Sequence, residues 1–595
     1  MLSILGYLAI HILNPSLALV EQNLVQKQPN ATTLVTFQQK SSGVTHSQIF
    51  GEAVTKKDVS SATPRQNVQQ NQRFSASGKR LVQTTVTGTT YYISPSGNDK
   101  SLGTSPTSAW RSINKINNVI FKPGDRIFFQ GGTTFTGNLS FNANDKGTAL
   151  NPIIISSYGT GRATINAGTG KGIMVYNSMG YNISNLNIVG SGVSTNKGDG
   201  ISFYNDLAGN IKLDGITINN VEVQGFINYG IAIGGWNQQS GYRNVKVTNI
   251  LTHNNGKAGL ITYAQLPNVN ENVYVAYVKA YNNKGIAGDT NPTGSGIIFG
   301  SVNTGVIERS VAYDNGILNN SVNGPVGIWA YDSTKITIQY NESYRNRTGG
   351  TTDGDGFDLD QNVSYSVMQY NYSHDNDGAG FLLCQSPNNL NHTGNIIRYN
   401  ISQNDGRKVN YGAIHIYGNV RNAEIYNNTV FVKGGTTSIP SAVLIYNPVT
   451  NVSFRNNIFQ TKDGVKLLDI ASGSTGLLFQ RNVYYSTGST FRIRWGGTTY
   501  SSLDSWRTVT NQEKLSSQNV GMSVDPLLSN PGGGQALNNT DLLNTLDAYK
   551  LSSNSPLINT GLDLKTLFGT NTGNQDFYGS LLPKDLGFDI GTHEF

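Results

Sequence analysis

The sequence predicts an all-β protein built as a parallel β-solenoid, and three observations lead to this prediction. The composition, with 68 glycines and 30 tyrosines but only 13% charged residues, is typical of strands joined by tight turns. From about residue 180 onward, similar segments recur at intervals such as 30 residues from Asn341 to Asn371 and 26 from Asn456 to Asn482. Each segment holds short strand-like stretches separated by glycine or asparagine, as in the coils of a solenoid.

Asparagines mark the same positions in successive repeats. The sequence aligns them in two columns: Asn341, Asn371, Asn400, Asn427, Asn456 and Asn482 in the first, and Asn255, Asn283, Asn315, Asn346 and Asn376 in the second. Stacked asparagine side chains can hydrogen-bond along a solenoid axis, and asparagine tolerates left-handed turn conformations. We therefore predict that these asparagines are scaffold residues.

The N-terminal part of the chain lacks the repeat. Residues 1–20 contain an apolar stretch, then Pro15 and the small residues Ser16 and Ala18, which predicts a signal peptide and hence a secreted or cell-surface protein. Residues 21–88 are polar and without periodicity, which predicts a disordered leader. No later stretch is apolar enough to predict a membrane span.

The two ends of the solenoid are predicted to be closed, because exposed strand edges would pair with other chains. The segment SAWRSINKINNVI has apolar residues at helical spacing, which predicts a short helical cap. These residues are Trp110, Ile113, Ile116 and Ile120. We expect the N-terminal cap and first coils over 89–180, the main β-helix over 181–524 and a small C-terminal closing region over 525–595.

Charge and cysteine content narrow the function. The net charge of +7 suits an acidic partner, but the basic residues form no long block, so we expect no nucleic-acid binding and regard an anionic glycan as the fitting partner. The single cysteine, Cys384, excludes an internal disulfide. We expect a monomer.

Several segments resemble secreted bacterial right-handed parallel β-helix proteins. The resemblance rests on the repeats, on AW followed by a helical pattern and PGD, and on the tail segments LSSNSPLINTG and DIGTHEF, and it covers about residues 88–595. It implies a right-handed parallel β-helix. Many such proteins act on polysaccharides as lyases or glycoside hydrolases and others are adhesive, so the resemblance implies an extracellular polysaccharide partner without fixing a reaction.

Alignment of four repeats predicts an acidic and aromatic surface. Matching GIWAYDS, GFDLDQN, GFLLCQS and AIHIYGN places Ile328, Phe357, Phe381 and Ile414 inward. Alternation then sends two columns outward: Trp329, Asp358, Leu382 and His415, and beside them Tyr331, Asp360, Cys384 and Tyr417. Aromatic faces stack on sugar rings and polar groups bind their hydroxyls, so we predict that Trp329, Tyr331 and Tyr417 bind substrate.

The turns before these strands carry a second group of carboxylates. DGDGF aligns with DGAGF, which places Asp353 over Asp377 with Asp355 and Asp375 nearby. Two carboxylates about 5 Å apart repel by roughly 3 kcal/mol at an effective dielectric near 20. A bound Ca²⁺, a raised carboxyl pKa, or aspartates that simply cap their own turns would each explain the cluster.

The pairing of DGFDLD with SHDNDGAGF resembles the calcium turns of family 9 pectate lyases. That resemblance implies that Asp353, Asp355, Asp375 and Asp377 bind Ca²⁺. The family has a lysine base shortly after its DGF, where this chain has Asp358 and Asp360. Either the base comes from the following coil, where Lys408, Arg407 and His415 are the candidates, or the reaction is not β-elimination.

Three functional hypotheses follow, and a calcium-dependent lyase acting on a uronate glycan is favoured. In a lyase, Ca²⁺ with Arg398, Arg407 or Lys408 would neutralise the substrate carboxylate, and His415 or Lys408 would remove the proton. In a glycoside hydrolase, Asp358 and Asp360, with Cα atoms about 6.8 Å apart along a strand, would be the catalytic pair. The third hypothesis is a non-catalytic glycan-binding surface protein.

Overall fold

The computed structural model describes residues 87–386, 388–435, 438–488 and 490–595. The predicted signal peptide, and the predicted leader up to residue 86, lie outside the described residues. Within the described part, the chain winds into a parallel β-helix, in which each coil adds a strand to a front sheet and one or two strands to a rear sheet.

The front sheet has 14 strands, of which only the last is antiparallel to its neighbour. Successive strands are separated by one coil, so side chains in register form columns along the axis. The strands are Leu139–Phe141, Ile173–Tyr176, Ile201–Asn205, Tyr229–Gly235, Ala258–Tyr263, Ser295–Gly300, Val326–Tyr331, Asp355–Leu359, Phe381–Gln385, Gly412–Gly418, Ser441–Ile445, Lys466–Ile470, Ile493–Trp495 and Thr498–Tyr500.

The rear sheet has 23 strands and turns a corner. Over residues 181–281 one long strand in each coil follows both faces of this corner, whereas the coils before and after divide it into two shorter strands. The strands are Thr90–Ile93, Arg126–Gln130, Thr134–Thr136, Ile153–Tyr158, Ala163–Gly168, Tyr181–Gly190, Lys212–Gln224, Gly241–His253, Asn270–Tyr281, Val302–Glu308, Val311–Tyr313, Thr334–Gln339, Glu342–Tyr344, Val367–Gln369, Tyr372–His374, Ile396–Arg398, Ile401–Gln403, Glu424–Tyr426, Thr429–Val432, Ser453–Arg455, Ile458–Lys462, Leu478–Gln480 and Val483–Thr487.

Helices are short and lie outside the coils. The α-helices are Ile113–Asn117, Leu503–Thr510 and Leu564–Phe568, the 3₁₀-helices are Pro106–Ser108, Thr540–Thr545 and Asp547–Tyr549, and a two-stranded ribbon joins Lys514–Leu515 to Gln518–Asn519. In the described residues, no helix has the length and apolar character needed to cross a membrane.

The predicted N-terminal helix is present but shorter than expected. Ser112 caps it by accepting a hydrogen bond from the Lys115 amide, and Ile113 and Ile116 are buried. The prediction was wrong for Ile120, which is exposed, because the helix ends at Asn117 and the chain then turns.

The core lies between the sheets and follows the predicted register. Ile328, Phe357, Phe381 and Ile414 are all buried, and the Phe357 and Phe381 rings stack with centroids 5.2 Å apart. The inward direction of these residues is therefore confirmed. Every coil adds apolar side chains to one continuous core. The buried apolar surface therefore increases with each coil that is stacked along the axis.

Two asparagine ladders run along the core. In the ladder that contains Asn371, each side-chain amide donates to the carbonyl oxygen of the next asparagine, as Asn341 does to Asn371 and Asn371 to Asn400, at 3.0 Å each. The second ladder runs as predicted from Asn255 to Asn376 and continues onto the carboxylate of Asp405.

The first ladder corrects the predicted alignment by one residue in its later coils. Its members there are Asn428 and Asn457, not Asn427 and Asn456. Asn427 and Asn456 instead have positive φ and occupy the turn position that Tyr370 has in an earlier coil. In pairs of adjacent asparagines, sequence alone does not say which one turns inward.

The C-terminal end of the solenoid is closed earlier in the chain than predicted. Trp506, in the helix Leu503–Thr510, is fully buried and packs edge-on to Phe479 and Tyr484. The residues predicted as the closing region, 525–595, lie along the rear sheet instead. There they cover a band of aromatic side chains that includes Tyr372 and Tyr399.

We predict that Asn371→Ala lowers the free energy of unfolding by about 3 kcal/mol, because it leaves the buried Asn341 amide without an acceptor. The measurement is equilibrium denaturation. Asn291→Ala, at an exposed loop position, is the matched control and should change stability by less than about 0.5 kcal/mol. Equal stability of the two variants would contradict the role given to the ladder.

Candidate functional site

The front sheet brings the predicted columns together. Trp329 pairs with Asp358, Asp358 with Leu382, and Leu382 with His415 on successive strands. In the adjoining column Cys384 pairs with Tyr417. The aligned repeats thus have the register that the sequence predicts.

The first of these columns is covered. The side chains of Trp329, Asp358 and His415 are nearly inaccessible, although they point away from the core. Tyr411 is one of the residues that cover them: its ring meets the His415 ring edge-on at 4.4 Å, and its hydroxyl donates to Asp353 Oδ1 at 3.2 Å.

Loops that precede the front strands stack on one another and form a wall beside the column. The Gly354 amide donates to the Pro325 carbonyl, the Gly378 amide to the Gly354 carbonyl, and the Gly406 amide to the Gly378 carbonyl. Gly378 is required here, because a Cβ at that position would lie 2.0 Å from an Asp355 oxygen. The wall therefore holds the turn carboxylates at the edge of the sheet.

Four carboxyl groups form one acidic cluster, and each has a raised pKa. Burial, followed by the charge of Asp353, raises the pKa of Asp355 well above its usual range. Burial, followed by the charges of Asp360 and Asp355, does the same for the pKa of Asp358. Burial also raises the pKa of Asp353, and it raises the pKa of Asp360 to about 6.

The four carboxyl groups differ in access. Asp355 and Asp358 are buried, whereas Asp353 and Asp360 are only half-buried. Asp353 Oδ2 accepts a hydrogen bond from the Gly324 amide, and Asp360 Oδ1 accepts one from the Gln361 side-chain amide at 3.1 Å. A substrate can therefore reach Asp353 and Asp360 most directly.

Several buried polar atoms of the site have no hydrogen-bond partner among the described residues. They are Trp329 Nε1, Asp355 Oδ2, Asp358 Oδ1 and both ring nitrogens of His415. Buried polar groups in folded proteins are normally satisfied, and unpaired ones concentrate where a ligand or water binds. Together they indicate a polar binding site on the front sheet.

His415 is a neutral hydrogen-bonding group. Burial lowers the pKa of its imidazole to about 3, so the ring offers one donor and one acceptor at neutral pH. A base with so low a pKa is a poor match for abstracting a carbon-bound proton. This pKa argues against His415 as the catalytic base, a role that stays a prediction from the sequence.

The four carboxylates predicted to bind calcium do not converge on a common site, because two of them are paired with other side chains. Asp377 forms an ion pair with Arg347 at 2.8 Å, and Asp375 contacts His374 and Arg407. In the described residues, no group of three or more His, Cys, Asp or Glu side chains is arranged to hold a metal ion. The four predicted ligands thus do not fit a shared Ca²⁺ site.

Of the predicted cationic residues, Arg398 lies away from the site, whereas Arg407 and Lys408 lie in the loop wall beside it and have other partners. Arg398 belongs to the rear sheet, where it donates to the Asn571 carbonyl of the C-terminal segment, so the prediction that it binds substrate was wrong. Lys408 is exposed and its ammonium donates to the Thr348 carbonyl. Arg407 is held by Asp375, although sequence alone gives no sign of that pairing.

Tyr411 is a site residue that the sequence analysis missed. It lies in the loop before a strand, outside the aligned columns, so no periodicity points to it. The same holds for Gly324, whose contact with Asp353 depends on how two loops stack. Tyr331 and Tyr417, by contrast, lie in the predicted column, the first buried and the second exposed.

The fold and site together define a right-handed parallel β-helix repeat protein with an acidic site on its front sheet. The sequence model of the family described as "Right handed beta helix region" matches residues 289–430, which include the whole acidic cluster. The predicted fold class, including its handedness, is confirmed.

Similar proteins include carbohydrate-active enzymes. The lacto-N-biosidase of Bifidobacterium longum subsp. longum is 25% identical over 528 aligned residues, and the match covers 68% of this chain but only 31% of that protein. Among solved structures, the GH136 lacto-N-biosidase from Eubacterium ramulus is 16% identical with a TM-score of 0.43, covering 60% of this chain and 65% of that one. The pectate lyase Pel9A is 16% identical with a TM-score of 0.36, covering 86% and 97%.

We predict that Asp360→Asn stabilises the protein by about 2 kcal/mol at pH 7.5. The folded-state pKa of Asp360, about 6 against 3.8 for an ordinary aspartate, means that stability falls as pH rises from about 4 to 6. That difference corresponds to about 3 kcal/mol, reduced here for solvent screening of a half-buried group. Asp360→Asn removes the carboxylate charge and with it this loss of stability.

Denaturation at pH 7.5 and pH 4 tests this, and the advantage of the variant should disappear at pH 4. Asp585→Asn, at an exposed position, is the control and should leave stability unchanged at both pH values. A variant that is less stable than the wild type at pH 7.5 would contradict the burial of an unfavourable charge.

Proposed function

We propose that the protein is a glycoside hydrolase that acts on an extracellular saccharide through Asp353 and Asp360. The observation that supports this most is the cluster of four carboxyl groups with raised pKa values. In the part of the chain that the structure describes, no cationic side chain is paired with them, and two of the four are accessible. Glycoside hydrolysis needs two carboxyl groups of this kind, one protonated and one ionised, at the scissile bond.

Asp353 is the proposed general acid. It lies beside Asp355 in the turn, and like charges this close cannot both ionise easily, so the pair retains a proton at neutral pH. Asp355 is buried, with Oδ1 bound to the Ala379 amide, whereas Asp353 is half-buried and can reach a substrate. The shared proton is therefore available for the leaving oxygen through Asp353.

Asp360 is the proposed ionised partner. With a pKa of about 6 it is an anion at neutral pH, and it stands in the same column as the aromatic residues Tyr331 and Tyr417. It would act as nucleophile or as base for water, depending on its distance from Asp353. Asp358, predicted as a catalytic residue, is instead assigned a positioning role, because its carboxyl group is buried.

The trapped polar atoms beside this pair favour a saccharide substrate. Trp329 offers a ring N–H, neutral His415 offers a donor and an acceptor, and protonated Asp358 offers both as well. These are the groups that hydroxyl-bearing ligands need, and none adds positive charge. The name of the curated relative, a lacto-N-biosidase, agrees with glycoside hydrolysis.

The lyase hypothesis has weaker support from the site. A uronate carboxylate entering this cluster would meet four acidic groups, while Arg347 and Arg407 are already paired with Asp377 and Asp375. Calcium dependence therefore stays a prediction from the sequence resemblance. Export likewise stays a prediction, and we propose an extracellular location because of the N-terminal sequence pattern.

A glycan panel tests the reaction class. It contains polygalacturonate and alginate as uronates, with xylan and a lacto-N-biose-terminated oligosaccharide as neutral saccharides. We expect new reducing ends from a neutral saccharide, no ultraviolet absorbance of unsaturated uronate products, and no loss of activity with a calcium chelator. Chelator-sensitive release of unsaturated products would establish the lyase instead, and binding without turnover would establish the surface protein.

Two substitutions test the assigned carboxyl groups. Asp360→Asn and Asp353→Asn should each lower kcat/KM by about 10³-fold, because each removes one of the two reacting groups. Wild-type kcat/KM should fall below about pH 6, as Asp360 gains a proton. Asp353→Asn should retain most activity toward a substrate whose leaving group needs no protonation, and Asp360→Asn should not. Unchanged turnover in either variant removes that residue from the mechanism.

A further inference from the structure

We propose that Tyr417 and Tyr446 form a stacking platform that binds the departing part of the saccharide chain. This inference rests on the proposed function, because it assigns one side of the same site. It concerns the exposed surface of the coils that follow Asp360 in the chain. The proposed catalytic residues do not explain why this surface is aromatic.

The platform continues the column that contains Asp360. Leu359 pairs with Leu383, so the next residue, Asp360, stands beside Cys384, and Cys384 pairs with Tyr417. One coil further, the pairing of adjacent residues places Tyr446 beside Tyr417. Tyr417 therefore lies two coils, or about 10 Å, from Asp360, within the reach of a bound saccharide.

The two rings present a joint apolar face. Their centroids are 5.7 Å apart and their planes are inclined by 27°. Tyr417 is 37% exposed and Tyr446 is 61% exposed, so both rings are open to a ligand. An exposed aromatic pair beside a polar site fits the apolar face of a sugar ring, while the hydroxyl rim stays in water.

On the opposite side of Asp360 the aromatic rings of this column are buried. There the same column holds Tyr331, which is 8% exposed, and Tyr263, which is 7% exposed. Each ring lies against a glycine of the preceding coil, since a Cβ at Gly300 or Gly234 would lie within about 3 Å of the ring. The rings thus fill the surface on this side.

This asymmetry gives the site a direction. A saccharide can stack on the exposed tyrosines but not on the buried ones, so we place the retained unit toward Trp329 and the departing part over Tyr417 and Tyr446. The inferred specificity is therefore for removal of a terminal unit from a longer chain, with affinity for the departing sugars provided by stacking.

The test compares two substrates that share one retained unit. One is the panel glycan that the wild type hydrolyses fastest, and the other is the glycosyl fluoride of its terminal unit, which has no departing sugar. In Tyr417→Ala/Tyr446→Ala, the ratio of kcat/KM for the glycan to kcat/KM for the fluoride should fall about 10-fold or more. An unchanged ratio would overturn the platform.

The control is Tyr176→Ala, which should leave this ratio unchanged. Tyr176 is 39% exposed and also stacks on a neighbouring tyrosine, Tyr204, at 6.1 Å, but it lies six coils from Asp360. It therefore matches the platform in chemistry and exposure without its position. A similar fall in this variant would show a general effect of removing surface tyrosines and would overturn the inference.

A binding measurement separates this inference from the proposed function. Each panel glycan is titrated calorimetrically into Asp360→Asn and into the triple variant that also carries Tyr417→Ala and Tyr446→Ala. We expect the affinity of the triple variant for the glycan to be about 10-fold or more lower. If the wild type hydrolyses nothing but this weakening is seen, the proposed function fails and the platform stands. If glycans are hydrolysed but their binding does not depend on the two tyrosines, the platform fails. It also fails if no glycan binds.

Discussion

The register between successive coils is the constraint on which the whole structure depends. A shift of one residue would turn every outward side chain of a strand inward, so the acidic cluster exists only if neighbouring coils keep their alignment. Two interactions fix it. Stacked apolar residues such as Phe357 and Phe381 fill the core, and the ladder through Asn371 ties each coil to the next by buried hydrogen bonds. The Asn371 side chain, for example, accepts from the Asn341 amide and donates to the Ile338 carbonyl, so it satisfies two backbone groups of the preceding coil.

On this scaffold the acidic cluster is an unfavourable arrangement that the fold maintains. Four carboxyl groups are held by one strand and one turn, and burial raises the pKa of each. Stability is usually lost at such places, since strain and unpaired polar groups concentrate at functional sites. The unpaired atoms of Trp329 and His415 belong to the same few coils. The ladders also end on buried carboxyl groups with raised pKa values, Asp405 and Glu513, but there a ladder asparagine donates a hydrogen bond to the carboxyl group.

Much of the fold could be predicted from the sequence because solenoid repeats are local. The alternation in GFDLDQN and its neighbours fixed which side chains point inward, and the columns through Asp358 and Asp360 were correct for that reason. The ladder position at Asn427 and Asn428 was not predictable, since either asparagine satisfies the pattern. What closes the C-terminal end was also missed, because the helix that carries Trp506 is only eight residues long and its apolar pattern spans a single turn.

The site was predicted less completely because its key contacts cross between loops. Burial of Asp358, the hydrogen bond from Tyr411 to Asp353 and the capture of Asp375 by Arg407 all depend on how the loops stack. Sequence columns show what lies on a face and not what covers it. For this reason Asp353, expected to bind metal, becomes the proposed acid. The expected catalytic pair, Asp358 and Asp360, lies along one strand, whereas the proposed pair is Asp353 in the turn and Asp360 at the end of the strand.

The retention of a proton by this cluster at neutral pH is the central claim. Infrared difference spectroscopy between the wild type and Asp358→Asn, and between the wild type and Asp353→Asn, measures it directly at pH 7. The account predicts that the buried Asp358, and the pair of Asp353 with Asp355, each give the carbonyl stretch of a protonated carboxylic acid in the wild type. The corresponding band should be lost or shifted in each variant. Spectra in which all four groups are ionised at pH 7 would contradict it.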